Sequence, residues 1–154
     1  MTHSFKKSLE IGKAGEAALQ KLWPDLVQLP GRHSDFFLQS TGETVEVKTD
    51  SYSMSATANF FIELMRDVER ERIGGPAQSL IHGSSLWVYW FIKDKVAFIF
   101  ETRDLVAWLK ENHMKYPQRN IKNNGWTTVG ILVPREDLKA LYTRRELHET
   151  TDIQ

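Results

Sequence analysis

Seven residues, Leu86-Trp-Val-Tyr-Trp-Phe-Ile92, constrain the fold of this chain more than any others. All seven are apolar or aromatic, types that favour extended strands. The run is strand length and far too short to span a bilayer. Lys93-Asp94-Lys95 follows as a turn, and Val96 to Phe100 returns as a second apolar strand. Strands without polar alternation are covered on both faces. A layered domain with a buried sheet is therefore expected, its aromatics serving the core rather than stacking on nucleobases.

The 154 residues suit one domain large enough to bury such a core, about residues 5–142, with the chain frayed from about His148. Hydrophobic content of 41% and charged content of 26% are those of an ordinary globular protein. A net charge of zero gives no general attraction to polyanions. The absence of cysteine excludes disulfides, thiolate zinc sites and cysteine nucleophiles, and fits a reducing cytosol. Met-Thr-His-Ser-Phe-Lys-Lys has no apolar stretch behind its lysines, so no secretory signal is expected, nor any membrane association.

Ser4 to Trp23 reads as a first helix, with Ser4 or Thr2 as N-cap and Pro24 closing it. Leu9, Gly12, Glu16, Leu19 and Trp23 share one stripe, which places Glu16 on the face that packs on the sheet. A carboxylate there must be paired or cation-bound, unless a slight rotation lets it reach solvent at the rim. Gly12 and Gly15 let the helix backbone approach another element closely. Asn59 to Met65 reads as a strand whose Glu63 is either a further acid near the site or a solvated charge. Gly74-Gly75-Pro76 is a break, and Ser79 to Ser85 a polar approach to the central strand. Thr102 is expected to cap a helix ending near Asn112-His113. Residues 114–125 read as an irregular basic loop carrying Lys115, Arg119 and Lys122. Thr127 to Val133 is a last strand, and Pro134 opens a final helix.

The chemistry lies between Asp35 and Lys48. Two alternating runs joined at Ser40-Thr41-Gly42 make a β-hairpin. Residues two apart on a strand share a face, so Glu46 and Lys48 project together. With Asp35 facing the same way, two carboxylates and an ammonium converge. Two hard oxygen donors suit Mg²⁺, and a neighbouring lysine suits the orientation of water or the stabilisation of an oxyanion. Glu-x-Lys alone is common, and by itself it reads better as a solvated strand face carrying a cross-strand ion pair. Asp137-Leu-Lys139 repeats the pattern in a helical-looking segment, where the two do not share a face. Arg32 and His33 stand in the turn-rich segment before Asp35, as phosphate contacts, a water-bridged ligand or solvated side chains.

The order Glu16 on a helix, Asp35 at a strand, Glu46-Val-Lys48 on the next strand, then further strand and helix elements resembles the restriction-endonuclease-like nuclease superfamily. Within it, the chain looks most like archaeal-type Holliday-junction resolvases and related phage nucleases. Asn59-Phe-Phe-Ile-Glu63, followed by Gly74-Gly75 and an aromatic strand, is similar to an arrangement in such proteins. The resemblance covers about residues 9–110. Ser34 stands where a proline often precedes the Asp.

The resemblance implies an α/β (α+β) fold with a central mixed β-sheet flanked by helices. It implies a metal-dependent DNA endonuclease hydrolysing phosphodiester bonds, with branched or otherwise structured DNA as substrate. Asp35, Glu46 and the Val47 carbonyl would ligate Mg²⁺ or Mn²⁺, and Glu16 would serve a second metal or a water. Lys48 would position the attacking water and offset charge in the transition state. Arg32, His33, Lys115, Arg119 and Lys122 are candidate DNA contacts. A homodimer for symmetric double cutting, and the cytoplasm of a bacterial, archaeal or phage-infected cell, complete the expectation. The alternatives are a catalytically silent DNA-binding or assembly subunit of the same fold, and an RNA or nucleotide hydrolase.

Overall fold

The computed structural model describes residues 5–30 and 34–149, apart from the Phe5 side chain. Among them the order is α1 (Phe5–Leu22), β1 (Leu26–Gln28), β2 (Phe36–Leu38), β3 (Thr44–Asp50), β4 (Asn59–Asp67), β5 (Arg72–Ile73) and α2 (Gly75–Ile81). Then come β6 (Leu86–Phe91), β7 (Val96–Glu101), α3 (Thr102–Asn112), β8 (Gln118–Lys122), β9 (Thr127–Pro134) and β10 (Tyr142–Glu146). The architecture is mixed α/β. One sheet runs β1-β2-β3-β6-β7-β10 and is mixed, because β3 and β6 are parallel and its other neighbours antiparallel. A second, antiparallel sheet runs β5-β4-β9-β8.

Every residue of β6 is buried, as its unbroken apolar run requires. Val88 and Trp90 face a core with Leu19 and Trp23 of α1. Trp87, Tyr89 and Phe91 face the opposite core, which contains Phe60 and Ile62 of β4, Ile131 and Val133 of β9, and Leu105 and Leu109 of α3. The expected central mixed sheet flanked by helices is present, with a second sheet added on one side. One face is covered by α1, the other by a second sheet together with α3. The strand from Asn59 belongs to that second sheet, since its partner is β9 rather than β3. The Tyr89 hydroxyl ties the layers, donating to Asp50 Oδ2 at 2.5 Å and accepting from the Phe61 N–H at 3.1 Å.

Further local expectations are overturned for identifiable reasons. Leu9 is 47% exposed, so the buried stripe of α1 begins further along the helix. The break at Gly74-Gly75-Pro76 opens α2: Gly75 takes φ +59° and the proline occupies the first turn, where a missing N–H costs nothing. Thr102 is the first residue of α3 rather than its cap; Glu101 precedes the helix, and the Thr102 hydroxyl is buried without a partner among the described residues. Residues 114–125 are not an irregular loop, because β8 pairs with β9 from Gln118↔Ile131 to Lys122↔Thr127. Pro134 ends β9, followed by a single 3₁₀ turn (Arg135–Leu138) and by β10 instead of a final helix. The first strand, β1, carries too short a signal to stand out in the sequence; it forms by pairing with β2.

Gly15 sets the seat of α1 on β3. A Cβ there would stand 2.1 Å from Thr49 Oγ1 and 2.7 Å from Thr49 Cβ, whereas at Gly12 nothing lies within 4 Å. Gly15→Ala is expected to destabilise the protein by ~1–3 kcal/mol through overpacking, despite alanine's helix propensity. Gly12→Ala should instead stabilise by up to ~1 kcal/mol. Urea unfolding of the two variants checks the pair, and a stabilising Gly15→Ala would contradict this close contact.

Candidate active site

Strand β3 presents its backbone and side chains in strict alternation. Its even-numbered residues bond toward β6: the Ser85 N–H donates to Thr44 O at 3.0 Å, and the Ile92 N–H to Asp50 O at 3.3 Å. Its odd-numbered residues turn the other way, and Val45 O accepts the Asp35 N–H at 3.1 Å. One step on, β2 has not yet begun, and the Val47 N–H donates to the Asp35 carboxylate at Oδ2, 2.8 Å away. N–H and C=O of one strand residue point to the same side, so the Val47 carbonyl also faces the Asp35 side. The register Glu46↔Trp87 and Lys48↔Tyr89 puts those two side chains on the face away from α1. Lys48 is exposed, and no acid among the described residues pairs with it.

Glu16 follows Gly15, so the tight seat of α1 on Thr49 carries its carboxyl to Asp35. Burial, a hydrogen bond with Asp35 and the Asp35 charge push the Glu16 carboxyl up to about 8, against a smaller pull from Lys13. Burial, then the charges of Asp35 and Glu16, push Glu46 up to about 8 as well. Three carboxyls contributed by a helix, a strand start and a strand interior thus share one electrostatic site. Glu16 is half-buried and hydrogen-bonded to Asp35. Among the described residues, no three His, Cys, Asp or Glu side chains stand together so that they could hold a metal ion between them. The carboxyls crowd in charge without closing a shell. That arrangement suits Mg²⁺, which keeps several waters and takes one or two carboxylates. Asp35, Glu46 and the Val47 carbonyl are the oxygens that would hold it, with Glu16 beside them.

The remaining candidates are dispersed. Arg32 and His33 lie outside the described residues. Lys115 donates to Asn112 Oδ1 at 2.9 Å, at the end of α3. Arg119 pairs with Gly130 and Lys122 with Thr127, on opposite faces of β8. The three cations therefore do not form one grip. Glu63 lines the same cleft as Glu46 and Lys48, but its Oε2 accepts the Gly75 N–H at 3.0 Å. That cleft, of about 370 Å³, is also lined by Phe61, Gln78, Asn123 and Trp126. Of these, only Phe61, on the strand face of Glu63, is marked by the sequence pattern.

The raised carboxyls fix a pH dependence. Both groups hold their protons in the folded chain up to about 8 but ionise near 4.5 when unfolded. Between those values the folded state binds more protons, so metal-free stability falls as pH rises and levels off above about 8. Glu46→Gln should flatten that slope and raise the metal-free Tm at pH 8 by several degrees. In a domain of this size ~1 kcal/mol moves Tm by about 2–4 °C. Thermal melts in EDTA from pH 5 to 9 measure the wild-type-minus-variant difference. A constant difference would mean Glu46 does not titrate in this window.

Comparison with protein-family models and with curated proteins found no match for this chain. No helix among the described residues is long and apolar enough to cross a membrane.

Proposed function

We propose that this protein is a metal-dependent DNA endonuclease of the restriction-endonuclease-like kind, acting in the cytoplasm on branched or otherwise structured DNA. The observation that carries the reading is the electrostatic coupling of Glu16, Asp35 and Glu46, with Glu16 hydrogen-bonded to Asp35 and Lys48 on the Glu46 strand face. Unpaired buried carboxylates are costly, and a divalent cation removes that cost. Bound there, Mg²⁺ or Mn²⁺ would supply Lewis-acid stabilisation of charge on the phosphate and acidify a nearby water. The Val47 N–H orients the Asp35 carboxylate through Oδ2. Lys48, unpaired and exposed, would orient the attacking water and offset negative charge building on the phosphate oxygens. Symmetric cutting of a junction would require two copies of the chain.

The test is purified protein against labelled junction, flap, single-stranded and linear duplex DNA, with Mg²⁺, Mn²⁺ or EDTA. Cleavage confined to the metal-containing reactions is expected; no cleavage of any substrate overturns the reading. Lys48→Ala should lose activity, by about 100-fold or more if it stabilises the transition state, yet still bind Mn²⁺ in a calorimetric titration. A variant that cuts normally would reduce Lys48 to an ordinary strand charge.

A further inference from the structure

We propose that the cleft beside Glu46 and Lys48 receives one unpaired nucleotide of the DNA strand to be cut, its base held between aromatic and carboxamide walls. The proposal rests on the nuclease reading above and names its substrate more narrowly. At about 370 Å³ the cleft lies near the low end of small-molecule sites, roughly 300–1,000 Å³. It suits a single nucleotide and not a stacked duplex, whose major groove alone is about 12 Å wide. Glu46 and Lys48 line it, so a nucleotide inside would be joined to the phosphate at the carboxylates.

The walls carry the chemistry of a base site. Phe61 of β4 and Trp126, between β8 and β9, are both half-buried and both line the cleft. The Phe61 ring lies directly against the backbone of β9, since a Cβ on Gly130 would stand 2.4 Å from Phe61 Cζ. Gln78 of α2 is half-buried, and its carboxamide bonds no described residue. Asn123 is held by Nδ2 donating to Thr128 Oγ1 at 3.0 Å, while its oxygen bonds no described residue. A groove that tracks phosphates is rich in Lys and Arg; here Lys48 and the exposed Arg66 are the lining cations. Aromatic faces with neutral donor-acceptor groups suit a base. A base within a duplex hides its faces by stacking and its edge by pairing, so only an unpaired base can use these walls.

Fluorescence anisotropy in EDTA, with a labelled single strand and the blunt duplex of the same sequence, tests binding apart from catalysis. Wild-type protein should prefer the single strand. Trp126→Ala and Gln78→Ala should each weaken single-strand binding, Trp126→Ala by about tenfold, as expected for loss of a base-stacking partner. Trp126→Phe should recover most of the loss, with thermal melts confirming that each variant is folded. In Mn²⁺, the same alanine variants should raise KM for a substrate with an unpaired nucleotide and leave duplex binding unchanged. If wild-type protein cuts DNA but both alanine variants bind single strand as it does, or lose both DNAs equally, the nucleotide pocket alone is overturned. Protein that cuts no DNA overturns the nuclease reading, and the pocket with it.

Discussion

Glu46→Gln is expected to reduce metal-dependent DNA cleavage by at least about 100-fold while leaving the fold intact. Even partners that only orient a metal ligand cost up to about 100-fold when removed, and Glu46 is assigned as a ligand itself. The substitution keeps the shape of the side chain and removes a charge from a spot where Asp35 and Glu16 already repel it. Activity and metal-free stability should therefore move in opposite directions, which a merely structural role would not produce. Asp35→Asn should be equally silent, with one difference. Asp35 also accepts the Val47 N–H, so the amide can turn its nitrogen toward that donor and disturb β3 locally. Single-turnover cleavage in Mg²⁺, paired with thermal melts in EDTA, reads both effects. Either variant cutting at the wild-type rate would remove the carboxylate site from consideration.

Phe60→Ala is expected to be the most damaging single truncation in the core, costing ~3–5 kcal/mol. Phe60 is fully buried where the two sheets meet. Its ring packs edge-on against Tyr89 at 4.8 Å, Phe98 at 5.1 Å, Phe100 at 5.7 Å and Tyr142 at 6.1 Å between centroids. Those partners lie on β6, β7 and β10, so Phe60, with Ile62 beside it in the same core, holds β4 against the central sheet. They are themselves pinned in strands, so the cavity cannot readily collapse, and the full cost of lost contacts remains. By contrast Tyr52, 68% exposed, should tolerate Ala within ~0.5 kcal/mol. Urea unfolding followed by tryptophan fluorescence measures both; a cost below about 1 kcal/mol for Phe60→Ala would mean that the sheets do not pack as described.

Short-range pattern alone determined the elements whose partners lie nearby in the chain. The hairpin at Asp35–Lys48 was legible because its alternation and Gly42, at φ +79°, specify a turn locally. The β6–β7 hairpin was legible because an unbroken apolar run has no other way to be buried. The shared face of Glu46 and Lys48 follows from the same two-residue period. What tertiary structure decided depends on pairing between distant segments. Asn59 to Asp67 finds β9 rather than β3, and residues 118–122 become an edge strand only because β9 supplies their hydrogen bonds. A turn-rich, charged segment carries no such information within itself. The position of Glu16 is the sharpest case. Helical spacing put it on a packing face, but its meeting with Asp35 depends on how closely Gly15 lets α1 settle onto Thr49. The cleft wall of Phe61, Gln78, Asn123 and Trp126 arises likewise from three separate segments. Each is unremarkable in the chain, and only their docking against β3 makes them neighbours.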